Sequence, residues 1–412
     1  MTTINFAYDG VVGHQQTWQW HVNTYNNKFY PINGPFEECY YDYHAPLQTV
    51  FEKNGYQTNT LTVKDALKGS EKFVYVLTFR YLRNTILNDL SFNFFKHIPI
   101  GIIDAVNTGQ CILILNDSHE SALYTPDFHE TLFKNLCDVR IDIGNVILLT
   151  GNHINNPADS KVPLIFWQFF ETAVRLATED MNIDTSNKFN NLTLLKKFLC
   201  LNRIPRETRY YFMYKMYEKN LINHFRASLD NVNNVEDIVS YNKNLFIDQI
   251  KDEPKFKQML TTLPWVIDST NFKMNHWDTN KNEFSYNNLI FIVTETLFQG
   301  DINNIFLTEK TFKPISLKMP FIVIGQPLTL KRLQEAGYKT FSHLWDESYD
   351  ETFDPVQRME KVCNVVEHLS TMSTTDLADM IKQSFEILEH NSKLLQSRRP
   401  EFQIMECIKG KL

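Results

Sequence analysis

"NNIFLTEKTFKPISLKMPFIVIGQP", residues 303–327, decides how the second half of this chain is read. Thr308 is a good helix N-cap, which leaves Glu309 and Lys310 in the first turn with Thr311 three residues past the cap. A Pro-led apolar strand, "PFIVIG" (320–325), follows. A carboxylate at a helix start is favoured by the helix dipole, whereas a lysine there opposes it by roughly a few tenths of a kcal/mol, a cost that an anionic ligand reverses. Acid and base together suit a sugar phosphate. The same pair also fits an ordinary exposed helix start, so the surrounding elements must decide.

Those elements repeat one grammar. "KKFLCLNR" (196–203) reads as a strand, "RETRYYFMYKMYEKN" (206–220) as a helix, "NLIFIVTE" (288–295) as a strand and "PLTLKRLQEAGY" (327–338) as a helix. Strand, turn and helix in succession spell a doubly wound α/β domain. In such sheets ligands gather beyond the carboxyl ends of the strands, where helix N-termini attract anions. "CLNRIPRETR" (200–209) sets Asn202, Arg203, Arg206 and Arg209 at one such junction, and arginine forks match phosphate oxygens. Glu295 ends a third strand.

The first half alternates in the same way: "KFVYVLTF" (72–79), "IPIGIID" (98–104), "CILILND" (111–117) and "NVILLTGN" (145–152) read as strands, and 163–181 as a buried helix. The polar stretch 182–191 then separates two domains. Two are expected in any case, because 412 residues exceed the size at which a single core stops growing, ~250–300 residues. Near the C-terminus, Phe353, Val356, Met359, Val362, Val366 and Leu369 form an amphipathic stripe starting at Asp354-Pro355, and a further helix spans 374–396.

Composition narrows the function. Six scattered cysteines without a Cys-x-x-Cys pair suggest neither a disulfide frame nor a zinc knuckle. A net charge of -7 has the wrong sign for a protein that grips nucleic acid with its whole surface, though a local basic stripe at Lys188, Lys196, Lys197, Lys215, Lys219 and Arg226 remains compatible with it. No P-loop occurs, and "DESYDE" (346–351) reads as a solvated acidic turn rather than a cation site. No segment has the apolar length of a membrane span and the start lacks a signal-peptide layout, so a cytoplasmic protein with no membrane association is expected.

The run "IVTETLF…FLTEKTFKPISLKMPFIVIGQPLTLKRLQEAGYKTFSHLWDESYDE" resembles the donor-binding signature of fucosyltransferase-type glycosyltransferases, and is closer still to glycosyltransferase-like proteins carried by large tailed phages. The resemblance covers residues 196–352. It implies an α/β fold of the GT-B type: two Rossmann-like domains facing a cleft, residues 1–185 on the acceptor side and 186–350 on the donor side, with helices of 351–412 crossing back over both. It also implies a nucleotide-diphosphate sugar as donor substrate, no metal and no other cofactor. Carried onto this chain, Arg203 or Arg206 together with Lys310 would neutralise the diphosphate, with Thr311 beside them in the donor site, and Glu295 and Glu309 would hold donor hydroxyls. A hydroxymethylated base in phage DNA (host cytoplasm) is among the acceptors it admits. An acceptor-side base is sought at "NDSHES" (116–121), where Asp117 and Glu120 are candidates with His119 behind them. A helix capping box explains Asp117 and Glu120 equally well. The alternative to an enzyme is a non-catalytic α/β protein that binds an anion or assembles with partners; the sequence does not fix the oligomeric state.

Overall fold

The computed structural model describes residues 3–8, 20–23, 28–31, 46–78, 86, 93–118, 126–154, 160–179, 189, 192, 195–238, 245–267, 287–299 and 304–412. The chain forms two compact units, residues 1–172 with 399–412, and residues 173–398.

The first unit is built on a six-stranded sheet of β1 (Ile4–Tyr8), β2 (Thr58–Thr62), β3 (Phe73–Thr78), β4 (Cys111–Asp117), β5 (Val146–Thr150) and β6 (Leu164–Phe166), in the order β2-β1-β3-β4-β5-β6. Every pairing is parallel. All seven residues of β4 are buried, as expected of a central strand covered on both faces. The second unit carries a parallel sheet of β7 (Lys196–Leu201), β8 (Phe225–Ser228), β9 (Asn288–Thr294) and β10 (Phe321–Ile324), in the order β8-β7-β9-β10. β9 is likewise buried along its whole length. The fold class is therefore α/β, with two units in one chain, each built on a parallel sheet.

Three local expectations are corrected. "IPIGIID" is not a strand but the start of helix α1 (Ile100–Asn107), because Ile102, Ile103, Ala105 and Val106 fall on one helical face and are buried there. The apolar run 163–181 is not one helix. Its beginning is the short strand β6, where Leu164 lies opposite Leu148, and after Trp167 and Gln168 it becomes helix α2 (Phe169–Thr178). A short apolar run fits strand or helix equally, and here the Trp167 N–H bonded to the Thr150 carbonyl at 2.8 Å carries the pairing up to the break.

The segment 374–396 is also broken, into α6 (Thr374–Lys382) and α7 (Phe385–Ser397), on either side of a fully buried Ser384 whose hydroxyl lies 2.9 Å from His343 Nε2. Ahead of these come α3 (Glu207–Glu218), α4 (Glu309–Ser316) and α5 (Pro355–Thr371). α5 starts where expected, with the Asp354 carboxylate accepting from Gln357 N–H at 2.8 Å. Met359, Val362, Val366 and Leu369 of its stripe are buried, while Phe353 stays 56% exposed.

The final helix, α8 (Phe402–Lys411), belongs to the first unit. Glu401, just ahead of it, is fully buried there and accepts from Asn54 Nδ2 and Thr172 Oγ1, both at 3.2 Å. Among the described residues no helix is long and apolar enough to cross a membrane.

Candidate functional site

The carboxyl ends of β7, β9 and β10 come together because the strands are parallel neighbours, so the turns that follow them share one sheet edge. The first link is a side-chain bond: Thr294 Oγ1 donates to Asn202 Oδ1 at 2.6 Å, tying the end of β9 to that of β7. After Asn202 the chain turns through Arg203 and Pro205 to Arg206, which is the extended N-cap residue of α3.

The arginines at this turn reach across to β9. Arg206 Nη1 donates to the Thr296 carbonyl at 3.2 Å. Arg209, one turn into α3 and 3% exposed, donates to the carbonyls of Ile204 (2.8 Å) and Thr294 (3.3 Å). Burial, then the neighbouring Arg206 charge, bring the Arg209 guanidinium down to about 10, with Cys200, Glu309 and Glu295 pulling the other way. It remains a cation at neutral pH. Its forks hold backbone; Arg203 and Arg206, on the same turn, are only partly buried.

The helix start meets the same edge. Thr308 caps α4 and accepts from Lys310 N–H at 3.3 Å. Glu309 is buried, with its Oε1 2.8 Å from Lys310 Nζ. Lys310 Nζ also donates to Thr308 Oγ1 (3.2 Å) and Thr296 Oγ1 (3.3 Å). Thr311 is fully buried and donates its hydroxyl to Glu295 Oε1 at 2.6 Å. Glu295 itself accepts from Thr296 N–H, Thr308 N–H and the Thr308 hydroxyl as well.

Gly325 ends β10 against this carboxylate. A Cβ built there would lie tightly, 3.2 Å, from Thr329 Oγ1 and from Val323 Cγ1, and at an ordinary contact distance of 3.5 Å from the Glu295 Cβ, so the glycine relieves crowding with the turn that follows the strand.

Arg206, Glu295, Glu309, Lys310 and Thr311 are thus gathered at one place, with Arg203 on the adjoining turn. A pocket opens beside them, lined among others by Arg206, Thr208, Thr296, Leu297, Phe298 and Gln299. The Phe298 ring is backed by the Arg358 guanidinium, 4.2 Å from its centroid, which also donates to the Phe298 carbonyl. Sequence reasoning missed Thr296, Phe298 and Arg358. An arginine breaking into the α5 stripe beside Met359 was the available signal for the last.

Asp117 lies in the other unit, 1% exposed at the end of β4 and opposite Thr150. Glu120 and His119 fall outside the described residues.

Two surface readings are corrected. The proposed basic stripe is broken: Lys196 is exposed and Arg226 partly so, but Lys197 is buried and donates to the Ser370 and Met372 carbonyls at 2.6 Å each, Lys215 pairs with Glu218 at 3.0 Å, and Lys219 pairs with Glu367. Lys188 lies outside the described residues. The turn 346–351 is solvated at Asp346, Ser348 and Glu351 but not at Asp350, whose carboxylate is buried and accepts from Leu330 N–H (2.9 Å) and Lys331 N–H (3.1 Å) at the start of the helix Thr329–Glu335. Among the described residues no group of three or more His, Cys, Asp or Glu side chains is placed to hold a metal ion.

No protein-family model matches the chain, and no curated protein does. Solved structures show a faint likeness along most of its length. An E. coli structure described as trehalose-6-phosphate bound with UDP-2-fluoro glucose is 10% identical, with 98% of this chain and 91% of that one covered and a TM-score of 0.40. An α,α-trehalose 6-phosphate synthase from Burkholderia multivorans is 9% identical, with 99% and 89% covered and a TM-score of 0.41. Likeness at this level carries no inference about activity.

Proposed function

We propose that the second unit binds the diphosphate of a nucleotide sugar and that the protein is a glycosyltransferase moving that sugar to an acceptor hydroxyl. The observation that carries this reading is the meeting of Arg206, Lys310 and the N-terminus of α4 at the carboxyl edge of one parallel sheet. In the reaction the acceptor oxygen bonds to the anomeric carbon, the bond from that carbon to the diphosphate oxygen breaks, and the acceptor proton passes to a base. Negative charge grows on the leaving oxygen, where a held cation and a helix dipole lower the barrier. Asp117 and Glu120, in the first unit, are the candidates for the base. A hydroxymethylated DNA base is the acceptor suggested by the resemblance, and its natural assay is transfer of labelled sugar to such DNA.

The test is mass-spectrometric detection of binding and hydrolysis across a panel of nucleotide sugars. Binding of at least one donor, with release of its nucleoside diphosphate, is expected. Binding of nucleoside diphosphate without any sugar release would favour the non-catalytic anion-binding alternative.

A further inference from the structure

Glu295 is 2% exposed, and its carboxylate is occupied within the protein. Oε1 accepts from Thr308 N–H at 3.1 Å and from the Thr311 hydroxyl at 2.6 Å, while Oε2 accepts from the Thr308 hydroxyl at 2.6 Å and from Thr296 N–H at 3.1 Å. An ionised carboxylate offers about four lone-pair positions, so these bonds leave none for a ligand hydroxyl.

Two of the same threonines surround the cation. Lys310 Nζ donates to Thr308 Oγ1 and to Thr296 Oγ1. Thr308 has a single hydroxyl proton and gives it to Glu295, which commits its oxygen to accept from Lys310. The direction of the whole network is therefore set by an acceptor-only group at its base.

We propose that Glu295 is a positioning residue for Lys310, not a ligand of donor hydroxyls: through Thr296 and Thr308 it holds the ammonium where a diphosphate binds. This inference rests on the donor reading above. Its mechanism is pre-organisation, since a side chain already fixed by its neighbours is held in the geometry that the reacting charge requires.

Glu295→Gln keeps the size of the side chain but places an amide donor against a backbone N–H in either orientation, that of Thr308 or of Thr296, so the carboxylate network around Lys310 is broken. Calorimetric titration with inorganic pyrophosphate and steady-state turnover of each accepted donor are measured for Glu295→Gln, Lys310→Ala and the double variant. Glu295→Gln is expected to weaken pyrophosphate by about tenfold, the scale of one charge-assisted hydrogen bond, and to lower kcat by the same factor for every sugar. In the Lys310→Ala background it should add nothing.

A change in preference among sugars that persists in the Lys310→Ala background would overturn the proposal, as would unchanged pyrophosphate affinity in Glu295→Gln. Should that variant not fold, Thr296→Val serves instead. It keeps the N–H bonded to Glu295 and removes one acceptor of Nζ; weakened pyrophosphate supports the proposal and wild-type affinity overturns it. A wild-type protein that binds pyrophosphate but turns over no nucleotide sugar defeats the transferase reading alone, because the pyrophosphate titrations still decide the role of Glu295. Failure of the wild type to bind pyrophosphate overturns both.

Discussion

Lys310 Nζ lies 2.8 Å from Glu309 Oε1, joining a side chain that is 24% exposed to one that is 5% exposed. The acid is nearly enclosed and the base opens outward, so adjacent residues on one helical turn face different surroundings. Lys310→Ala is expected to lower kcat by ~10²-fold or more, about 2.7 kcal/mol, with a smaller change in donor affinity. Glu309→Gln should act on donor choice or binding instead. Steady-state kinetics with each accepted nucleotide sugar decide it, and near-full kcat in Lys310→Ala would reduce the pair to a helix start.

Arg206 sits half-exposed at the α3 N-cap, donating to the Thr296 carbonyl. Arg206→Ala should weaken nucleoside diphosphate binding by roughly 1.5–3 kcal/mol, the scale of a lost hydrogen bond to a charged group. Isothermal calorimetry reads this directly, and an unaltered affinity in a folded variant would remove Arg206 from the proposed diphosphate site.

Lys197 satisfies the carbonyls of Ser370 and Met372 at the carboxyl end of α5. Lys197→Met keeps the apolar stem and deletes the ammonium, so it is expected to cost about 1–3 kcal/mol of stability by leaving those acceptors without their partner. Chemical denaturation measures the loss. Affinity for DNA should be the same in both proteins, because this lysine is buried and occupied.

Asp350 is pushed up to about 6 by burial, against the hydrogen bonds from Leu330 and Lys331 N–H and the nearby Arg358 charge. An acid whose folded value lies above its unfolded one binds its proton more tightly in the folded state. Stability from this group is therefore present at low pH and falls as pH rises from about 4 to about 6, by an order of 3 kcal/mol in all. Asp350→Asn cannot ionise, so it should gain stability relative to the wild type across that interval. Parallel denaturation curves for the two proteins at pH 4 and pH 6.5 would count against this.

Much of both sheets was legible because its signals are local. Seven-residue apolar runs became the buried β4 and β9, Asp354-Pro355 opened α5, and Thr308 capped α4 as its position demanded. Ambiguity arose where an apolar run fits either period, as in "IPIGIID" and at Leu164. The direction of side chains was not legible at all. A buried Lys197 and a buried Asp350 depend on which backbone groups the fold leaves nearby, and so do the bonds that Glu295 accepts from residues 308 and 311. Such partners are set by tertiary packing, so no window of sequence contains them.

Glu401 bears on how this molecule is made. Its carboxylate holds Asn54 and Thr172, yet residues 173–398 are translated between those partners and it. A chain emerging from the ribosome folds from its beginning, so the first unit must wait with this buried acceptor missing while the second is synthesised. The unit whose sheet is made before the second is thus completed only after it.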